Sequence, residues 1–291
     1  MKPAPFRYVA PRSVDETLAL LAEHCAEGKI LAGGQSLVPL LNMRLARPQV
    51  IVDINGIRSL AYIRRKDDHL HVGALTRQRA VEESATVRRQ VPLLWEAIRF
   101  VGHPQIRTRG TVGGSLAHAD PSAELPAVAA ALDARLVVRG LSGERVLSPG
   151  EFFTGYLTTA LDPADLLTEI RFPVLPEQTG SAFVEVARRH GDFALVGVAA
   201  VVRRSDGTIA EARLAFTGVG PGPVRARGAE GRLAGSAGTS KAFADAAREA
   251  AARLDPESDI HATAQYRRDV AATLARRALE LAWQRSGDRS R

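Results

Sequence analysis

Ala32-Gly33-Gly34-Gln35-Ser36 and Thr111-Val112-Gly113-Gly114-Ser115 repeat one pattern eighty residues apart, Gly34 to Gly114. Each runs a small or apolar residue into paired glycines with a hydroxyl close behind. Paired glycines lose more backbone entropy on folding than other dipeptides, so some interaction must offset that loss in both places. Without Cβ atoms, successive amides can point into one concavity, and a helix N-terminus behind them adds positive dipole. One such turn can cradle a phosphate, and two brought together from separate units could hold both phosphates of a dinucleotide. Charge-assisted hydrogen bonds contribute roughly 1.5–3 kcal/mol each, so about four make a tight site without any lysine. Either pair alone reads first as a plain tight turn; it is the matched pair that favours a cradle.

Other nucleotide motifs are missing. No G-x-x-x-x-G-K-S/T stretch occurs, and Gly218-Val219-Gly220-Pro221-Gly222 has neither the dinucleotide spacing nor an unbroken helix start. Gly-x-Ser-x-Gly is absent, no Ser-His-Asp arrangement stands out, and none of the seven histidines forms an H-x-x-x-H or Cys/His cluster, so neither a catalytic residue nor a metal site is expected in this chain. His71 reads as a structural strand residue and His190 as exposed. His103 and His118 flank the second glycine turn, either as neighbours of a bound group or as satisfied loop histidines.

The turns sit in three units. In the first, residues 1–57, Ser13-Val14-Asp15-Glu16 reads as a capping box opening a helix through Leu18, Leu21, Ala22 and Cys25 until Gly28. Cys25 is expected as a small buried hydrophobe on that helix. Strands at 29–32 and 50–53 bracket a helix capped by Ser36, with Leu40, Leu41 and Leu45 as its apolar stripe. The second unit, 58–177, reads as strands at 60–64 and 70–73, helices near 76–84 and 92–101, the second glycine turn, and a helix from Ser122. A hairpin at 135–139 and 144–147 and a strand at 166–172 complete it. Pro173 to Gly180 is the clearest linker. The third unit, 178–291, has strands at 181–188, 195–203 and 209–217, glycine-rich loops at 218–222 and 228–239, and two alanine-rich helices near 241–254 and 262–284.

The 291 residues are 45% apolar and 24% charged, an ordinary soluble composition. With 5% aromatics, stacking surfaces for single-stranded nucleic acid are scarce. The net charge of +7 comes from arginines spread along the chain and densest toward the end, from Arg267 through Arg289 and Arg291, which reads as a solvated face rather than a nucleic-acid patch. A single cysteine excludes an intrachain disulfide and also an iron–sulfur cluster held by this chain alone, since such clusters take about four thiolates. The longest uncharged apolar run, Phe193 to Val202, is about half a membrane span, so the protein is expected to be cytoplasmic and not membrane-spanning.

Around the two turns the chain strongly resembles the FAD-binding medium subunit of the molybdenum hydroxylases, the family of carbon monoxide dehydrogenase and xanthine dehydrogenase. The resemblance runs from Lys2-Pro3-Ala4-Pro5-Phe6 through Leu37-Val38-Pro39-Leu40-Leu41-Asn42-Met43-Arg44, Asp120-Pro121-Ser122-Ala123-Glu124-Leu125-Pro126, Asp165-Leu166-Leu167-Thr168-Glu169-Ile170 and Arg188-Arg189-His190-Gly191-Asp192-Phe193-Ala194 to Tyr266-Arg267-Arg268. It implies an α+β fold: two FAD-binding subdomains of the vanillyl-alcohol-oxidase type and a C-terminal α+β domain. It further implies noncovalent FAD, its pyrophosphate between Ala32, Gly33, Gly34, Gln35 and Ser36 on one side and Thr111, Val112, Gly113, Gly114 and Ser115 on the other. Glu124 would lie by the ribityl or ribose hydroxyls, Leu167 by the flavin, with Arg188 supplying charge nearby. Two departures are Ser115, where the family often has asparagine, and Glu124, where it often has aspartate; a donor and a carboxylate survive.

By the same resemblance, this is an electron-transfer subunit of an oxidoreductase complex such as carbon monoxide dehydrogenase. A small [2Fe–2S] subunit and a large molybdenum-cofactor subunit are its implied partners, in a dimer of heterotrimers, with a quinone, NAD or oxygen as outside acceptor. The substrate would never touch this chain. Alternatives are a stand-alone FAD-dependent oxidoreductase of the same fold and a basic binding module without redox function.

Overall fold

The computed structural model describes residues 2–288, so Arg289 and Arg291 of the arginine-dense tail lie outside the described residues. β1 (Arg7–Val9), α1 (Val14–His24), β2 (Gly28–Leu31), α2 (Leu37–Asn42) and β3 (Val50–Asp53) form a first layer, its sheet ordered β1-β3-β2 with both pairings parallel. Val50, Ile51 and Val52 of the central strand are almost fully buried, as the middle strand of a covered parallel sheet requires. The Ser13 hydroxyl accepts from the Glu16 N–H at 3.1 Å, while the Glu16 carboxylate reaches back to the Arg12 N–H at 2.7 Å rather than to Ser13.

Three expectations for this layer fail. Cys25 is exposed, because α1 stops at His24 and Cys25 takes a left-handed φ of 39° as a short 3-10 turn begins. Leu45 is exposed, since α2 closes at Asn42 and leaves Leu41 as its buried residue. Ser36 makes no side-chain cap to α2; its backbone is already helical, so its hydroxyl is not aimed at the next amides.

The second layer contains β4 (Ile63–Lys66), β5 (His69–Gly73), α3 (Gln78–Glu83), α4 (Ala85–Gln90), α5 (Pro92–Ala97), α6 (Pro104–Arg109), α7 (Val112–His118), α8 (Glu124–Ala131), β6 (Arg135–Gly140), β7 (Gly143–Leu147), α9 (Pro149–Phe152), the ribbon β8 (Phe153–Gly155) with β9 (Thr158–Thr159), and β10 (Leu166–Pro173). Its sheet is ordered β4-β5-β10-β6-β7 and is antiparallel throughout. β10 returns to the middle, between β5 and β6, so the hairpin and the helices stay on one frame. α7 packs on β10, which is how the helix behind the second glycine turn is held.

The C-terminal layer is β11 (Thr179–Ala187), β12 (Ala194–Ser205), β13 (Thr208–Thr217), β14 (Val224–Arg225), α10 (Arg227–Leu233), α11 (Ser240–Ala252) and α12 (Ala264–Asp288). α10 replaces the second expected glycine-rich loop: Ala229 and Leu233 are buried, and Glu230 ties it to Arg225 at 2.7 Å, which outweighs the helix-weakening Gly228 and Gly231. Strand alternation then divides two cores. Ala199 and Val201 of β12 join Phe183 and Ala215 against α8 and α5, while Val198, Ala200 and Val202 face the alanines of α11 and α12. α8 is buried along its whole length, small side chains letting it lie between two sheets. No helix among the described residues is long and apolar enough to cross a membrane.

Candidate functional site

The two glycine turns meet. A Cβ on Gly33 would strike the Arg109 carbonyl oxygen and stand 2.8 Å from the Gly110 Cα, so the first turn lies backbone to backbone against the entry to the second. A Cβ on Gly114 would stand 3.8 Å from that of Ala32. Gly34 has φ +74°, the left-handed conformation that glycine takes at little cost. Gly113 is needed for a different reason: a Cβ there would stand 2.8 Å from the Ala74 Cα and from its carbonyl oxygen, blocking the strand end that holds α7.

Their amides differ in what they leave open. In the second turn Val112 donates to the Thr76 carbonyl at 3.0 Å, Gly113 to Ala74 at 2.9 Å and Ser115 to Thr111 at 3.2 Å. Gly114 donates to the Thr111 hydroxyl at 3.0 Å, which makes Thr111 the cap of α7. In the first turn the N–H groups of Gly33, Gly34, Gln35 and Ser36 have no acceptor among the described residues. Gly33 is buried and the other three residues are half-buried; donors withdrawn from water without partners are costly, and an acceptor-only, anionic diphosphate matches them in chemistry. Ser36 and Ser115, the hydroxyl residues of the two turns, are half-buried. The residues present therefore fit a diphosphate, with main-chain donors and the Ser36 hydroxyl on one side and the Thr111 and Ser115 hydroxyls on the other.

A polar clamp that the sequence reading passed over locks the turns together. Asn55 donates to the Ala32 carbonyl at 2.7 Å and to Asp53 at 2.6 Å. Arg77 donates to Asn55 Oδ1 at 2.7 Å and, through its other terminal nitrogen, to the Arg109 carbonyl. Burial works to raise the Asp53 carboxyl, but the Tyr8 hydroxyl, the two Asn55 donors and the nearby Arg109 charge outweigh it and hold it below the usual range. Burial and the neighbouring Arg109 push the Arg77 guanidinium down. Behind the second turn, Arg107 is buried and grips both Glu82 oxygens at 2.9 and 3.1 Å, fixing α6 to α3. The signal for the clamp was Asn55-Gly56, legible only as a turn.

Glu124 opens α8 and is buried; burial, with help from Asp120, pushes its carboxyl up to about 7. Leu167 is buried on β10 at an irregularity in its pairing with β6. Arg188 is exposed at the end of β11, and its guanidinium meets His261 at 3.0 Å rather than a residue of either turn. His103, before α6, stacks on His190 with centroids 6.4 Å apart, and its ring fills the place where Gly191 lacks a side chain. His190 is exposed and His71 pairs with Glu169 at 2.9 Å, while His118 is half-buried in the last turn of α7.

Residues 4–175 match the family described as FAD binding domain in molybdopterin dehydrogenase, and residues 181–282 the CO dehydrogenase flavoprotein C-terminal domain. Subunit alpha of the 6-hydroxypseudooxynicotine dehydrogenase complex of Paenarthrobacter nicotinovorans is 44% identical over 98% of this chain and 97% of its own. Caffeine dehydrogenase subunit beta of a Pseudomonas species is also 44% identical, over 96% of this chain and 95% of its own. A chain in a solved structure of carbon monoxide dehydrogenase from Hydrogenophaga pseudoflava superposes with a TM-score of 0.96 at 39% identity, over 98% of this chain and 99% of that one.

Proposed function

Because the chain belongs to the FAD-binding medium-subunit family of the molybdenum hydroxylases, we propose that it holds FAD noncovalently at the junction of its two glycine turns and carries electrons there between other subunits and an outside acceptor. It is an oxidoreductase subunit, with FAD as its cofactor. The observation that carries the placement is the abutment of the two turns together with the four open amides of the first, Gly33 to Ser36. These amides take the diphosphate, Ser36, Thr111 and Ser115 add hydroxyls, and Ala32, Val112, Gly113 and Gly114 bring the backbones close enough to share it. Glu124 faces the sugar hydroxyls, and Leu167 excludes water near the ring. Arg188 contributes positive charge from the outer side.

Bound FAD supplies a carrier that accepts and releases electrons singly or in pairs. The chain's own work is to bind, orient and shield it, and no residue here is needed as an acid or base toward the oxidised substrate. The implied partners are a small [2Fe–2S] chain and a large molybdenum-cofactor chain, in a cytoplasmic dimer of heterotrimers. The units 1–57, 58–177 and 178–291 are the divisions of this reading, the first two clasping the cofactor. Relatives named for a nicotine-derived compound, caffeine and carbon monoxide fit a subunit that does not choose the substrate.

Purification from the native source tests this reading. A yellow protein that releases its flavin on acid precipitation and travels with one cysteine-rich and one large chain is expected. A colourless protein would overturn the FAD assignment; a flavin-loaded chain, alone and active on a small donor, would overturn the partners.

A further inference from the structure

Glu185 is a half-buried residue whose carboxylate has no part in the cradle as described so far. Along β11, Val184 and Val186 pack toward α11 and α12, whereas Phe183 lies in the core shared with α8, so alternation turns Glu185 to the cradle side of the sheet. One of its oxygens, Oε2, is buried without a hydrogen-bond partner. Opposite it on β12 stands Gly197, where a Cβ would come 3.5 Å from the Glu185 Cβ and 2.7 Å from the Thr217 methyl. The Thr217 hydroxyl in turn shares its one proton between the carbonyls of Pro121 and Ala123, each at 2.8 Å, in the segment that leads into Glu124. One layer thus joins Glu185 of the C-terminal domain to Glu124 of the second.

We propose that Glu185 and Glu124 form a carboxyl wall of the FAD cradle, holding a proton between them in the empty protein and releasing it to solvent when the cofactor's sugar hydroxyls donate to the pair. The inference rests on the placement of FAD at the glycine turns. Burial first, and then the Glu124 charge, push the Glu185 carboxyl up to about 8, as burial and Asp120 push Glu124 up to about 7. Of the other charged groups around the pair, Glu96 on α5 is engaged by Arg285 at 2.8 Å and the Phe183 amide, and Asp120 accepts from the Ser122 amide. Arg188 meets His261 and, with Arg189, His190 and Asp192, occupies the exposed loop after β11; His190 stacks on His103. A hydroxyl-bearing ligand brings the donors that two neighbouring carboxyls lack, and so favours their ionised form.

The test is calorimetric and fluorimetric titration of the flavin-free subunit with FAD between about pH 6 and 8.5, using buffers of different ionisation heat at neutral pH. About one proton released per FAD is expected, with the dissociation constant falling up to about tenfold per pH unit as pH rises toward 8. Glu185→Gln should bind FAD with that slope flattened and the proton count reduced. A wild-type proton count near zero with a flat profile would overturn the inference, and that measurement needs no variant. A slope undiminished in Glu185→Gln would place the released proton elsewhere and would overturn it equally. Wild-type protein that binds no FAD at any pH would instead sink the cradle itself, and the inference with it.

Discussion

Gly33→Ala is the smallest change that reaches the seam between the turns. The added Cβ would meet only main chain: the Arg109 oxygen, the Gly110 Cα at 2.8 Å and the Arg109 carbonyl carbon at 3.0 Å. Backbone cannot rotate away as a side-chain tip can, so the turns must separate by roughly half an ångström to one ångström to restore ordinary contact. Overpacking of this kind costs about 1–3 kcal/mol of stability. The separation also draws the Thr111 and Ser115 hydroxyls away from an anion held by the open amides of the first turn. Losing two charge-assisted hydrogen bonds at roughly 1.5–3 kcal/mol each weakens FAD by about 10²- to 10⁴-fold. The assay is FAD titration of the flavin-free protein by fluorescence quenching, with thermal unfolding alongside. Gly231→Ala is the control, because a Cβ there meets nothing within 4 Å and the position lies inside α10; it should bind FAD as wild type does and gain roughly 0.5–1 kcal/mol of stability. Gly33→Ala with wild-type affinity would refute the reasoning, because it would mean that the turns need not touch.

Arg77→Met removes the bridge from Asn55 to the Arg109 carbonyl. It should lower the unfolding midpoint by several degrees, since hydrogen bonds to charged groups contribute about 1.5–3 kcal/mol and each kcal/mol shifts a domain of this size by roughly 2–4 °C; an unchanged midpoint would remove the clamp from the account. Glu169 accepts from Tyr62 at 2.6 Å, from Arg171 at 2.6 Å and pairs with His71 at 2.9 Å. Burial opposes its ionisation, but these partners hold its carboxyl down to about 2. Its folded value is depressed, so the stability it adds is present above the ordinary carboxyl range and lost as pH falls through about 2. Denaturant unfolding should show Glu169→Gln weaker than wild type at neutral pH, with the gap closing in acid. The raised Glu124 and Glu185 act the other way: the flavin-free protein should lose stability as pH rises from the ordinary carboxyl range to about 8, and less so in Glu185→Gln.

The glycine turns were legible because their reason is local and chemical: Gly34 requires a left-handed φ, and Gly33 and Gly113 allow close approach of main chains. The strands of the C-terminal sheet were legible from runs such as Leu195-Val196-Gly197-Val198, and the linker from its prolines. What failed depended on distant partners. α4 and α6 are single short helices, each set by its packing rather than by a long periodic stripe. α10 runs through two glycines because Arg225 and a buried Leu233 hold it. Cys25 lies one residue and Leu45 three residues past a helix end, where period no longer predicts a face. The clamp joins Asn55 to Arg77 across lobes, and Glu185 depends on which side of β11 meets α5; neither relation is written in any one stretch of chain.

The central claim is that the open amides of Gly33, Gly34, Gln35 and Ser36 take the diphosphate of FAD. Hydrogen–deuterium exchange of the segment containing residues 32–37, with and without FAD, tests it most directly. Strong slowing of exchange in that segment on FAD binding, greater than in the already bonded 111–115 segment, is the predicted result. Saturation with FAD that leaves exchange at 32–37 unchanged would contradict the account.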